Sequence, residues 1–235
     1  MRSRGSRAGD RGMRSRGVLA RLALLSALVV ACGGQHRQPP PTTRSTHAGT
    51  PATDSQVLTL ARVLESNFTH GGASFTASLQ VDGQPAQATG RVDFRSGRGE
   101  ALVAPADPGQ GPPRQFFWTR RTVLAQTAPG SRRYERQVPN EQGNPVHGMI
   151  GFINLLSSEN IDNTANISAQ GALFLGHTTI AGAPVDKFRY GGDTTLWILT
   201  SSGLLRQVYT TRVTGGLTVD LINHEPVRIQ LPSAA

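Results

Sequence analysis

Ser74-Phe75-Thr76-Ala77-Ser78-Leu79-Gln80-Val81-Asp82 alternates polar and apolar side chains without a break. Successive side chains of a strand point to opposite faces, so Phe75, Ala77, Leu79 and Val81 share one face and Ser74, Thr76, Ser78 and Gln80 the other. An apolar face against a core and a polar face against water describe an antiparallel sheet. Gly83-Gln84-Pro85 supplies a turn, and residues 86–95 return with Val92 and Phe94 on one face and Arg91, Asp93 and Arg95 on the other.

Downstream, the same reading predicts strands over residues 100–104, 115–119, 122–126, 171–180, 186–190, 195–200, 204–212, 217–222 and 227–231. Short connections make most neighbours antiparallel. Ser201-Ser202-Gly203 and Gly191-Gly192-Asp193 read as hairpin turns. Upstream, the period changes. Val57, Leu60, Ala61 and Leu64 fall at i, i+3, i+4 and i+7, with Arg62 and Glu65 off the stripe, which predicts an amphipathic helix over 55–67 lying across the sheet. Asp54 or Ser55 can cap it.

Asn144-Pro145 is a cap and first-turn pair, followed by Val146-His147-Gly148-Met149-Ile150-Gly151-Phe152-Ile153-Asn154-Leu155-Leu156. Met149, Ile150, Ile153 and Leu156 keep helical spacing, but Phe152 and Leu155 make other faces apolar too. A helix apolar nearly all round must be covered on most sides. Gly148 and Gly151 each weaken it by roughly 1 kcal/mol relative to alanine.

At the start of the chain, Arg14, Arg16 and Arg21 precede the apolar run Leu22-Ala23-Leu24-Leu25-Ser26-Ala27-Leu28-Val29-Val30-Ala31, and Cys32, the single cysteine, follows it. A positive region, about ten apolar residues and a small residue before the cut describe a secretory signal peptide, too short to cross a bilayer core. Residues 13–31 would by themselves make a complete signal, so Met1 and Met13 both stand as starts. Val29-Val30-Ala31-Cys32-Gly33 resembles the bacterial lipobox, in which the cysteine sulfur, a strong nucleophile as thiolate, takes a diacylglycerol and becomes the new N-terminus. Multiple acyl chains hold a protein stably on a membrane. The resemblance thus implies a lipid-anchored protein on the extracytoplasmic face of the plasma membrane. Residues 33–54, rich in Pro, Thr and Gly and without apolar period, read as a disordered linker of r.m.s. span about 25 Å.

The organisation expected is therefore a signal peptide over 1–31, a lipidated cysteine and linker over 32–54, and one folded domain over 55–235. Seven arginines and one aspartate precede Cys32, so removing them takes the formal charge from +9 to +3. What remains is dispersed along the sequence, which argues against a nucleic-acid binder. No cysteine is left for a disulfide framework. Glycine (27) and proline (15) are plentiful and aromatics few (6%), as suits a β-rich chain with many turns.

Catalytic signatures are missing. The sequence has no G-x-S-x-G, H-E-x-x-H, P-loop or cysteine pair. His36, His47, His70, His147, His177 and His224 are not spaced as metal ligands. The expectation is a protein that is not an enzyme and needs no cofactor beyond the covalent lipid at Cys32.

Val185-Asp186-Lys187-Phe188-Arg189-Tyr190, then Trp197-Ile198-Leu199-Thr200-Ser201-Ser202-Gly203-Leu204-Leu205-Arg206, then Glu225-Pro226-Val227-Arg228-Ile229-Gln230-Leu231-Pro232, following a helix and a long antiparallel sheet, resemble the LppX/LprG lipoproteins of actinobacteria. Thr200 stands where that family carries an acidic residue. The resemblance implies an α+β LolA-like fold: a strongly curved antiparallel half-barrel whose concave side is covered by helices. It also implies carriage of acylated lipids or lipoglycans, palmitate-like chains included, across the cell envelope. A concavity with apolar walls suits acyl chains, because burial rewards area without demanding direction. Candidate wall residues are Phe75, Leu79, Val92, Phe94, Phe116, Trp118, Met149, Phe152, Ile153, Leu156, Leu173, Leu175, Phe188, Trp197 and Leu199. Expected partners are the membrane through the anchor, an acylated lipid or lipoglycan, and a membrane transporter; the protein is expected to be a monomer. The alternative is a tethered interaction or sensing module of the same fold with a filled core and no lipid cargo.

Overall fold

The computed structural model describes residues 49–233. The expected signal peptide, Cys32 and most of the expected linker lie outside these residues.

Among the described residues, twelve strands form a single antiparallel sheet. They are β1 (Thr50–Pro51), β2 (Gly72–Val81), β3 (Gln84–Asp93), β4 (Arg98–Pro105), β5 (Arg114–Thr119), β6 (Thr122–Gln126), β7 (Tyr134–Gln137), β8 (Leu173–Ile180), β9 (Ala183–Tyr190), β10 (Thr194–Leu199), β11 (Leu205–Thr210) and β12 (Leu217–His224). The helices are α1 (Asp54–His70), α2 (Pro145–Asn154) and α3 (Thr164–Ala169). In space the strands run β1-β8-β9-β10-β11-β12-β2-β3-β4-β5-β6-β7. Two meanders, β2–β7 and β8–β12, meet where β12 pairs with β2, and α2 and α3 come from the connection between them.

The sheet does not close. Its edges are β1, two residues long and ending in Pro51, and β7, four residues long. Short edge strands and a proline without an N–H leave little backbone for a foreign strand to pair with. Twelve strands at about 4.8 Å spacing would span roughly 50 Å if flat. Yet Val123 of β6 and Phe188 of β9 lie in one buried core with Val57 of α1 and Met149 of α2. The sheet therefore curves around its helices.

Local chemistry explains the boundaries. α1 is capped by Thr53, not by Asp54 or Ser55: the Thr53 side chain accepts from the N3 backbone, and its own N–H donates to Gln56 Oε1 at 2.9 Å. Gly71 ends the helix in the left-handed region, and its carbonyl accepts from Phe94 N–H at 3.1 Å. The β2–β3 turn falls on Asp82 and Gly83, both with positive φ, as a two-residue hairpin demands; Gln84 and Pro85 already belong to β3. The expected linker ends earlier than composition suggests, because Thr50 pairs with Phe174.

Residues 227–231 form no strand. Val227 and Ile229 are buried, with Leu231 partly so, against Phe117, Leu124 and Tyr134. The C-terminal segment is a strap on the face opposite the helices, where the second faces of β5 and β6 carry Phe117 and Leu124. Extended backbone with alternating apolar residues does not require a ladder partner when a hydrophobic strip is available to cover.

Candidate functional site

The helix-covered face gathers ten of the fifteen candidate wall residues into one buried core: Phe75, Leu79, Val92, Phe94, Phe116, Trp118, Met149, Ile153, Leu156 and Phe188. Phe152 is half-buried against it. Phe75, Trp118, Met149, Ile153 and Phe188 have no accessible surface, so most of this face is filled by its own side chains.

Leu173, Leu175, Trp197 and Leu199 are not part of that core. Leu196 and Ile198 take the inward positions of β10, and Phe174 of β8 pairs with the inward Phe188 of β9. A shift of one residue moves a strand's whole set to the other face, and Leu175 falls in a bulge between Phe174 and Gly176. Trp197 lies instead under the Lys187 ammonium, 5.0 Å from its ring centre. On these two strands both faces carry apolar residues, so periodicity alone cannot choose between them.

At one end of the filled core a cavity of about 470 Å³ remains, between the β2–β3 turn, the ends of β4 and β6, the start of β5 and the start of α2. Val81, Ala86, Val103, Phe116, Ala125 and Val146 give it apolar walls; Asp82, Arg114, Gln137 and Asn144 stand at its polar margin. Among the candidate wall residues only Phe116 reaches it. The other lining residues carry little sequence signal of a site: small apolar side chains at strand ends read as ordinary core.

The strand pair behind the cavity, β5 and β6, is tied together by a side chain that does not line it. Gln126, buried beside it, accepts from Gln115 N–H at 3.1 Å and donates to Ser131 O at 2.6 Å, and Arg114 donates to Gln126 O at 2.8 Å. Its helical wall is latched at both ends. Asn144 Oδ1 accepts from Val146 N–H at 2.9 Å and His147 N–H at 3.3 Å. His147, almost fully buried, accepts the Asn140 N–H on Nδ1 at 3.1 Å; the remaining proton therefore sits on Nε2, which faces Gln137 Oε1 at 3.2 Å. Burial holds the His147 pKa below its ordinary value. At the far end, Trp118 Nε1–H donates to Asn154 Oδ1 at 3.2 Å. The two helix glycines have a local cause: a Cβ at Gly151 would collide with the Glu141 carboxylate, and one at Gly148 would come within 3.0 Å of the Glu141 carbonyl.

No protein-family model and no curated protein matches the sequence. The fold is similar to solved structures. The crystal structure of LprF from Mycobacterium bovis shares 18% identity over 79% of this chain and 100% of that one, with a TM-score of 0.46. A DUF1329 family protein from Desulfovibrio piger shares 10% identity over 74% of this chain and 92% of that one (TM-score 0.32), and MucB in its complex with MucA(peri) 13% over 72% and 54% (TM-score 0.34).

Among the described residues, no group of three or more His, Cys, Asp or Glu side chains is placed to hold a metal ion, and no helix is long and apolar enough to cross a membrane. The sequence resemblance brings with it no cofactor. What the cavity offers is area rather than reactive chemistry. No nucleophile stands beside a base in its lining.

Proposed function

We propose that this chain is an envelope lipoprotein, anchored through Cys32 on the extracytoplasmic face of the plasma membrane, that takes up an acyl chain of a lipid or lipoglycan for presentation or transfer. The observation behind this is the cavity of about 470 Å³ walled by Val81, Ala86, Val103, Phe116, Ala125 and Val146, a volume and character typical of sites for small apolar ligands. Apolar area rewards an acyl chain at roughly 25 cal/mol per Å², and the polar margin leaves a headgroup in water. The curved sheet is read as a half-barrel with α1 and α2 on its concave side. The signal, the lipobox-like Cys32 and the LppX/LprG resemblance supply the cellular setting: residues 1–31 as signal peptide, 32–48 as tether, and a transporter as a downstream partner.

The test is native mass spectrometry of the chain from residue 32 carrying Cys32→Ser, incubated with cell-envelope lipid extract. Retained mass that denaturing extraction resolves into acyl-bearing species supports carriage; a clean apo mass overturns it. Separately, Cys32→Ala in the full chain should make the protein extractable from membranes by high salt, where the parent requires detergent.

A second reading rests on a different observation. Phe75, Trp118, Met149 and Phe188 fill most of the helix-covered face completely, as a tethered interaction or sensing module without cargo would require. A clean apo mass favours that reading.

A further inference from the structure

Charge that is dispersed along the sequence is not dispersed in space. The β3–β4 turn and the β5–β6 turn lie at the same end of the sheet, since Gly99 of β4 pairs with Trp118 of β5. A Cβ at Gly97 would meet the Arg120 side chain 2.6 Å away, so the first turn is covered by an arginine of the second. Around these turns Arg95, Arg98, Arg120, Arg121, Arg136 and Arg228 are all exposed. Arg95 and Arg228 line one depression with Asp93 and Ser96, and Arg136 lines the next with Thr119, Thr122 and Leu231.

None of these six forms an ion pair within 4 Å among the described residues, whereas Arg91, Arg206 and Arg212 do. Arg95 is held by the carbonyls of Thr69 and Phe68 at 2.5 and 3.4 Å. The acids nearby are few. Asp93 accepts from Ser96 Oγ at 2.6 Å and the Arg95 N–H at 3.0 Å, while Glu141 and Glu159 share a depression with Arg120. That same depression contains Leu155, which is 65% exposed.

We infer that this end of the sheet is a docking surface for an anionic lipid bilayer. Guanidinium groups on several turns, none ion-paired to a carboxylate within 4 Å among the described residues, match a plane of phosphates. A leucine held out in water beside them has no use on a soluble polyanion but inserts at the interface of a bilayer. At roughly 3.4 Å per residue the chain from Cys32 to Gly49 could reach at most about 55 Å, more than the length of any strand of the sheet, so an anchor at Cys32 would permit this orientation. The surface goes beyond the anchor and works without it.

The test uses the chain from residue 32 with Cys32→Ser and vesicles of phosphatidylglycerol in phosphatidylcholine, read by co-sedimentation. Each arginine at such a surface contributes about fivefold. Replacing Arg98, Arg120 and Arg121 by Gln should therefore weaken binding on the order of 100-fold. The charge-matched variant Arg62→Gln, Arg132→Gln, Arg133→Gln, altered away from these turns, should bind nearly as the parent does. Leu155→Ser should weaken binding at constant charge. Thermal unfolding of each variant checks that the fold is kept. Equal loss in both triple variants, indifference to Leu155→Ser, no binding by the parent, or binding to RNA in preference to vesicles would each overturn the inference.

Discussion

Asn67 of α1 donates its side-chain amide to the carbonyl of Leu156, just beyond α2, at 2.7 Å, while its Oδ1 accepts the Leu205 N–H of β11 at 3.4 Å. The residue has no accessible surface. One amide thus joins the first helix, the segment after the second, and the centre of the sheet. Asn67→Leu keeps the volume but strands a carbonyl and an N–H inside the core, at about 1–3 kcal/mol each. We expect a loss of about 2–4 kcal/mol, measured by urea unfolding with unchanged slope; a loss under 0.5 kcal/mol would show that the two backbone groups find other partners.

Trp118 lies over Gly99, its cross-strand partner, so closely that any Cβ there would overlap the indole. Phe75 stands in the same way over Gly90. Two large rings enter the core because two glycines let them lie flat on the sheet. Gly99→Ala should cost about 1–3 kcal/mol through overpacking. In a Trp118→Leu background the same change should cost much less, giving a coupling energy in a double-mutant cycle. Additive effects would contradict the packing.

The sheet, both long helices and the Asn144 cap were legible in the sequence because each rests on a strong local period or a cap. Other features were not. β7 and α3 are short and carry no sustained period; the strap over 227–231 alternates like a strand; and β10 is apolar on both faces. The candidate wall was legible as a core but not as a site, because an inward apolar residue looks the same in sequence whether its neighbour is another side chain or a void. The cavity margin depends on how strand ends and the α2 cap meet across residues far apart in the chain.

On β10 the faces can be told apart by charge. Ile198 is fully buried, whereas Trp197 is partly exposed beneath Lys187. Ile198→Glu should leave no cooperative unfolding transition at 25 °C, since an unpaired carboxylate would enter the core. Trp197→Glu should retain the fold and cost no more than about 1–2 kcal/mol, for lost packing and the cation–ring contact. Circular dichroism melts of the pair decide it; greater damage from Trp197→Glu than from Ile198→Glu would mean the strand faces the other way.

Two histidines, His147 buried and His224 partly buried, make stability depend on pH. Burial lowers the pKa of His147, and protonating its Nδ1 would remove the acceptor of the Asn140 N–H. Burial first, then the charge of His70, lowers that of His224, with the Leu205 backbone opposing and Arg206 adding to it; among the described residues its Nε2 has no hydrogen-bond partner. A folded-state value below the ordinary 6.5 means that the unfolded chain binds protons first as pH falls. The stability is complete above that value and is lost as pH drops through it toward the depressed one. Urea midpoints should fall between pH 7.5 and 5, and the fall should shrink in His147→Gln and in His224→Leu. An unchanged fall in both variants would assign it to other groups.

The cavity itself yields to filling. Val81 lies at its rim, partly exposed, and Ala86 on its wall, buried; neither belongs to the α2 latch. Val81→Trp and Ala86→Leu each add apolar volume where about 470 Å³ stands open. A side chain that enters a void without forcing its neighbours into strained rotamers leaves stability unchanged or raises it, in contrast to the same change in the packed core. Both variants should therefore melt within about 2 °C of the parent or above it, and both should lose the acyl-bearing mass in native spectra. A drop in melting temperature with cargo retained would place the acyl chain elsewhere, among the core residues themselves. Retained cargo with unchanged melting would place it outside the cavity altogether. Only loss of cargo in a stable protein ties the acyl chain to the space beside Val146 and Phe116.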